Sequence, residues 1–318
     1  PAPAKRVYLG IRPNRGYIKN CEFTTDNNFF GDMNFQYFIA LWEGSGISIF
    51  GNIFTNNSTV DWTKKGTGII AIQFPISVSS NQFYYLFRGI DASSILPGNR
   101  IFVSNCALSF NYRAITLTNT ISSTVKENTI RLPEWDPGSG YPFGLHLAGC
   151  KNYHVEANEI DGGLYQKTYG IIVHNSGPDN TEIYRNKLIS LNYGIYPQLI
   201  NKGTINNTNT GLCLLCNEFT NQIDHYDIKV LVKRANTGQP PFPAGIAFHQ
   251  RIANNGDPFL PYLPADNKFS PSHTGGAFDF DNSLGDYLIY SHAADIPGVA
   301  RYKPEWAANI GYEDLQFG

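Results

Sequence analysis

One six-residue pattern recurs along most of this 318-residue chain: apolar–x–x–Asn–x–apolar. It reads Ile49-Phe-Gly-Asn52-Ile-Phe54, Val78-Ser-Ser-Asn81-Gln-Phe83 and Val125-Lys-Glu-Asn128-Thr-Ile130. It returns as Val155-Glu-Ala-Asn158-Glu-Ile160, Ile183-Tyr-Arg-Asn186-Lys-Leu188 and Leu214-Leu-Cys-Asn217-Glu-Phe219. Two copies carry Cys in the Asn slot, at Cys21 and Cys106, and a weaker last copy is centred on Asn267. Successive slots lie 31, 29, 25, 22, 30, 28, 31 and 50 residues apart. A fixed period of this length is the mark of a stacked repeat. One unit cannot bury its apolar face alone, and its neighbours complete the core.

A second motif, small–apolar–x–apolar, falls between the slots. Examples are Gly68-Ile-Ile-Ala71, Gly89-Ile-Asp-Ala92, Ala114-Ile-Thr-Leu117, Gly144-Leu-His-Leu147, Gly170-Ile-Ile-Val173 and Gly194-Ile-Tyr-Pro197. Its alternation is that of a strand with one face buried. Two or three short strands per 22–31 residues describe one coil of a parallel β-helix. The sequence therefore predicts an all-β, right-handed, single-stranded parallel β-helix of nine to ten coils. Asn is read as the corner residue because it tolerates a left-handed backbone, and its stacked amides can bond from coil to coil. Cys in the same column is read as a small apolar substitute. A leucine-rich repeat would need Leu-x-x-Leu-x-Leu and a helical half, and a propeller a longer period.

Composition supports this and excludes other classes. Charged residues are 16% of the chain, against roughly 25% in ordinary soluble proteins. Asn (32) and Gly (30) are abundant because each coil needs a small residue and a corner residue. A net charge of −2 with 24 Lys and Arg gives no basic footprint for nucleic acid. No apolar run is long enough for a membrane span. Five Cys is an odd number, so a disulfide framework is not expected. Cys213–Cys216 and a bond from Cys150 stay open as single pairings.

The ladder breaks near residue 235, where Gly238-Gln-Pro-Pro-Phe-Pro243 and Asp257-Pro-Phe-Leu-Pro-Tyr-Leu-Pro264 occur. Residues 1–234 are read as coils, 235–265 as a Pro-rich excursion or side loop, and 266–318 as the last coils and tail. The segments Asn175 to Ile195 and Gly211 to Phe219, followed by Tyr226-Asp-Ile228, resemble right-handed β-helix repeats of large secreted Bacteroidetes proteins. The resemblance implies type IX secretion cargo, a secreted or cell-surface location, and neighbouring segments of a longer exported chain as partners. The chain begins at Pro1, which fits an excerpted or processed start.

Catalytic patterns are sparse. The outward column read from the second motif is Ser48, Ile70, Asp91, Thr116, His146, Ile172, Tyr196 and Cys213, with one carboxylate. Glycoside hydrolysis needs two, about 5 to 9.5 Å apart, and Asp91 and His146 fall two coils apart. Cys213-x-x-Cys216 is half a zinc signature without its other half. No metal, cofactor or catalytic residue is assigned, with Ca²⁺ expected only if the chain is a lyase. Loops commonly carry function, and Trp135 and Tyr141 in the insertion after Leu132 offer rings for sugar stacking. Trp42, Trp62 and Trp306 offer three more. The sequence thus favours a non-enzymatic stalk, adhesin or glycan- or protein-binding surface. The alternative is a polysaccharide lyase or glycoside hydrolase acting on acidic polysaccharide.

Overall fold

A computed structural model describes residues 7–9, 16–26, 37–96, 98–134, 141–163, 167–203, 210–220, 226–231, 245–252, 263–270, 278–295, 300–304 and 307–314. The fold is a parallel β-solenoid of three long sheets, with one short 3₁₀ turn at Trp62–Lys64. Each full turn contributes one strand to each sheet, in fixed order. The long sheet runs from Val7–Leu9 through Tyr37–Trp42, Thr67–Ile72, Arg88–Ser93, Arg113–Thr118, Phe143–Ala148, Tyr169–His174 and Tyr193–Gln198. It ends with Tyr226–Lys229, Phe278–Asp281 and Ala307–Ala308. The second sheet runs from Gly16–Lys19 to Leu212–Leu215, and the third from Glu22–Thr25 to Glu218–Thr220, with eight strands each. The solenoid therefore has about eight complete turns, and partial turns follow them. No helix among the described residues is long and apolar enough to cross a membrane.

Alternation explains the core. In the third sheet the inward column is Phe23, Phe54, Phe83, Leu108, Ile130, Ile160, Leu188 and Phe219, all buried. Phe23, Phe54 and Phe83 stack nearly parallel, with centroids 4.9 and 4.7 Å apart. The small residue second in the strands from Thr67–Ile72 to Tyr193–Gln198 answers to packing. A Cβ on Gly170 would lie 2.4 Å from the Gly194 carbonyl oxygen, and one on Gly144 2.7 Å from that of Gly170.

The corner between the second and third sheets is an amide ladder with one gap, at Cys106. The Asn52 N–H and Nδ2 both donate to Asn81 Oδ1 at 2.9 Å. The same double bond joins Asn128 to Asn158, Asn158 to Asn186, Asn186 to Asn217 and Asn217 to Asn267. Each Nδ2 also reaches back to a carbonyl of the preceding coil, as Asn158 does to Val125 O at 3.0 Å. The ladder ends where Asn267 N and Nδ2 meet the Tyr290 hydroxyl, both at 3.2 Å.

Two sequence expectations change here. The left-handed residue is the one before the slot: Asn20, Gly51, Ser80, Asn105, Glu127, Ala157, Arg185, Cys216 and Asp266 have φ of 49–65°. Asn holds the slot for its amide, not for its backbone tolerance. Cys106 is also more than an apolar filler. Its N–H donates to Asn128 Oδ1 at 3.0 Å and its thiol to Ser104 O at 3.3 Å. Cys21 likewise donates its N–H to Asn52 Oδ1. All five cysteines are free thiols.

In the stretch read as a Pro-rich excursion, His249–Ile252 is a strand paired with Leu288–His292. Gln250 bonds back to the Leu214 N–H and Leu212 O, so this segment packs as a rung of the solenoid. The Gly238–Pro243 run and most of the Asp257–Pro264 run lie outside the described residues. Toward this end the interior turns polar. Asp227 and Asp279 take over the small-residue column. Asp227 accepts from Ser270 N and Oγ at 2.8 Å, and Arg301 forks onto Asp279 at 2.7 and 3.0 Å.

Candidate functional site

The outward face of the long sheet concentrates chemistry. Its six-residue strands place the first, fourth and sixth residues on the side away from the core, partly exposed as in Arg113–Thr118 and covered at Ala40, Thr67 and Phe143. The first column reads Tyr37, Thr67, Arg88, Arg113, Phe143, Tyr169, Tyr193 and Tyr226. The fourth reads Ala40, Ile70, Asp91, Thr116, His146, Ile172 and Tyr196. Ser48 and Cys213, expected in this column, belong to the second sheet, opposite Ser77 and Glu182. The strand Tyr37–Trp42 carries no Gly, which hid its place in the long sheet.

This face has two zones. The first is cationic. Arg88 holds Asp91 in an ion pair of 2.7 Å. The Arg113 guanidinium lies over Phe87, Phe143 and Tyr112, at 5.0, 5.5 and 5.7 Å from their centroids. Burial, and then the charge of Arg88, lower its pKa from the usual value. His146 meets Phe143 edge-on at 5.4 Å. Burial first, then His174 and Arg113, push its imidazole down to about 4, so it is neutral at pH 7. Asp91 and His146 are separated by the strand that carries Thr116.

The second zone is aromatic. Tyr169 stacks on Tyr193 at 4.8 Å, and Tyr193 on Tyr226 at 5.6 Å, with planes within 11°. Tyr196 tilts against both Tyr169 and Tyr193 at 5.3 and 5.1 Å. Tyr141, half exposed, closes one end edge-on to Tyr169 at 5.5 Å. Lys229 closes the other, 3.8 Å over the Tyr226 ring and 3.3 Å from Asp281. Burial raises the pKa of Tyr169, Tyr193 and Tyr196, so these phenols remain protonated donors. Stacked rings bury their faces against one another. The column is partly buried, one ring per coil, and the Tyr226 and Tyr196 hydroxyls bond Lys229 and Gln198.

Of the residues singled out from sequence, Tyr141, Asp91 and His146 lie on this one face. Trp135 and Trp306 lie outside the described residues, and Trp62 is buried in a turn with Lys65 Nζ 5.2 Å over its ring. Sequence reasoning missed Arg88, Arg113, Tyr169, Tyr193 and Tyr226. The sign was present: each stands immediately before the small residue, or its Asp227 replacement, that opens the strand. Among the described residues, no three His, Cys, Asp or Glu side chains gather in a way that could hold a metal. Comparison with protein family models, curated protein sequences and solved structures gives no match. The chemistry of the face carries the functional argument.

Proposed function

We propose that this protein is a secreted or cell-surface β-helix that binds an extended polysaccharide along the outward face of its long sheet. The observation that carries the reading is the unbroken run of tyrosines beside a cationic zone, both aligned with the solenoid axis. A polymer lying along that axis meets a new tyrosine ring at each coil, roughly every 4.8 Å, a spacing comparable to one sugar residue. The low charge of the chain and the resemblance of its repeats to exported Bacteroidetes repeats support presentation outside the cell. Binding without turnover is favoured because the carboxylates of this face are committed. Asp91 is held by Arg88 and Asp281 by Lys229, whereas hydrolysis needs one acid free to donate and a second nearby.

Binding to a panel of immobilised neutral and acidic polysaccharides tests the proposal. The wild type is expected to bind at least one class without shortening it. Tyr193→Ala and Tyr196→Ala, each still folded, are expected to bind about tenfold more weakly or worse. Unchanged binding by both variants would remove the face from consideration. A second reading, a polysaccharide lyase, draws on one observation: a neutral imidazole, His146, near the Arg113 guanidinium. An imidazole at about 4 is a weak base, which ranks this reading below binding. Release of unsaturated products from a uronic-acid polymer, with or without Ca²⁺, would reverse the ranking.

A further inference from the structure

Within that face, the cationic zone is incomplete as it stands. Arg88 and Arg113 occupy paired positions on adjacent strands and flank the same ring, Phe87, at 5.3 and 5.0 Å. Asp91 neutralises one of the two. The other has no carboxylate within ion-pair distance among the described residues, and Asp91 acts on it only from the neighbouring coil. Like charges one coil apart, partly withdrawn from water, repel each other unless an anion joins them. The hydrogen-bonding groups tell the same story independently. Arg113 Nε and Thr116 Oγ1 are buried without a partner, and so is Arg88 Nε. Native proteins seldom leave such atoms unsatisfied. Thr116 is paired across the sheet with His146, whose imidazole makes no hydrogen bond to the described protein. Arg113 is meanwhile held flat by three rings, so its fork is oriented before any ligand arrives.

We propose that Arg113, Thr116 and His146, flanked by Arg88, form a built subsite for one oxyanion on the bound chain, the carboxylate of a uronic acid. The two terminal nitrogens of a guanidinium match a planar carboxylate with two parallel N–H···O bonds, and those of Arg113 are not among its closed-off atoms. A turn of the Thr116 side chain brings its buried hydroxyl to the ligand as a donor, and His146 supplies a ring N–H that donates. This rests on the polysaccharide reading and adds its chemical class. The stacked tyrosines would then hold the neighbouring, uncharged parts of the same chain.

The test uses the whole chain and three probes: a galacturonate trimer, the same trimer fully methyl-esterified, and a sulfated galactose trimer. The wild type is expected to bind the free acid at least tenfold more tightly than the ester. Thr116→Val preserves shape and removes only the hydroxyl. It is expected to lose severalfold on the acid and nothing on the ester. Arg113→Gln is expected to erase the preference while ester binding persists. In wild type, the acid is expected to shift the His146 imidazole resonances and raise their titration midpoint, and the ester to do neither. Equal binding of acid and ester, or a preference that survives Arg113→Gln, would overturn the subsite and leave the polysaccharide face standing. Tighter binding of the sulfated trimer would overturn the carboxylate assignment. Failure of all three probes and of the polysaccharide panel would overturn both readings together.

Discussion

The amide corner and the outward face of the long sheet are built from the same coils, stacked in the same register, yet they obey opposite rules. At the corner, every slot from Asn128 to Asn267 repeats one residue, and its amide bonds coils on both sides. On the face, the first column changes from Thr67 to Arg88, Arg113, Phe143 and Tyr169 in successive coils, and buried donors are left unpaired. Repetition marks what every coil needs in order to stack. Departure from repetition marks what only some coils do. If this contrast is right, corner substitutions should cost stability and spare binding, and face substitutions should do the reverse.

The largest effect is expected from Asn158→Leu. It removes the acceptor of Asn128 N and Nδ2 and the donor to Val125 O and Asn186 Oδ1. Buried partners then remain unpaired, at about 1–3 kcal/mol each where they cannot relax. A loss of about 3–5 kcal/mol in urea unfolding is expected, among the largest for a single substitution. Arg113→Gln should stay within about 1 kcal/mol by the same measurement. If the two variants were equally destabilised, the division of labour between corner and face would fail.

The next effect belongs to the face and depends on pH. His146 titrates at about 4 in the folded chain, below the usual value near 6.5. Between those values the unfolded state binds more protons. Stability therefore rises with pH across this window and is lost as pH falls through it. The imidazole faces Arg113 and His174, with the Arg88–Asp91 pair one strand further on. Its contribution is on the order of 2 kcal/mol after allowing for partial exposure. Replacing His146 with Phe should flatten unfolding free energy against pH between about 4 and 6.5. An unchanged slope would show that other groups set it. Gly170→Ala is expected to cost less, about 1–2 kcal/mol. Its Cβ would press on the Gly194 carbonyl, yet Ala114 in the same column shows that a coil can adjust. Thermal unfolding would register it, and a neutral outcome would mean the column has slack throughout.

The corner was almost fully legible in the sequence because its cause is local and repeated. Asn between two apolar residues at a fixed offset can be counted. What misled was the assignment of backbone strain: Arg185 and Ala157 carry the positive φ, and neither advertises it. The face was legible only in part. Period two placed Asp91 and His146 outward, but the first position of each strand precedes the motif and was not counted. Which cations keep a carboxylate is a matter of side-chain reach between coils. Arg88 and Asp91 sit three residues apart, whereas Arg113 meets Phe87 and Phe143 from neighbouring coils. Sequence spacing does not encode that. The polar interior near Asp227, Asp279 and Arg301 was hidden for the same reason, since 43 residues separate Asp227 from its donor Ser270.

The smallest effect is the most discriminating, because it turns on a single slot. Cys106 occupies an Asn position between Asn81 and Asn128. Its N–H keeps the bond forward to Asn128 Oδ1, but a thiol has no amide oxygen to offer backward. Asn81 N and Nδ2 therefore point at sulfur, a weak acceptor. Burial raises the thiol to about 11, so it stays a neutral S–H rather than a thiolate that could accept strongly. Val78 O lies 3.8 Å from the sulfur, where an Asn Nδ2 would reach it. Cys106→Asn should thus complete the ladder from Asn52 to Asn267 and stabilise the chain by about 0.5–1.5 kcal/mol, less any crowding from the larger amide. Cys106→Val, similar in size but without a donor, should destabilise by about 1 kcal/mol. Urea midpoints of the three proteins at constant slope would order them Asn, Cys, Val. The order Val, Cys, Asn would mean that apolar volume governs the slot and that the amide bonds merely accompany stacking. The corner would then be packed rather than bonded, and its contrast with the face would reduce to a difference in burial.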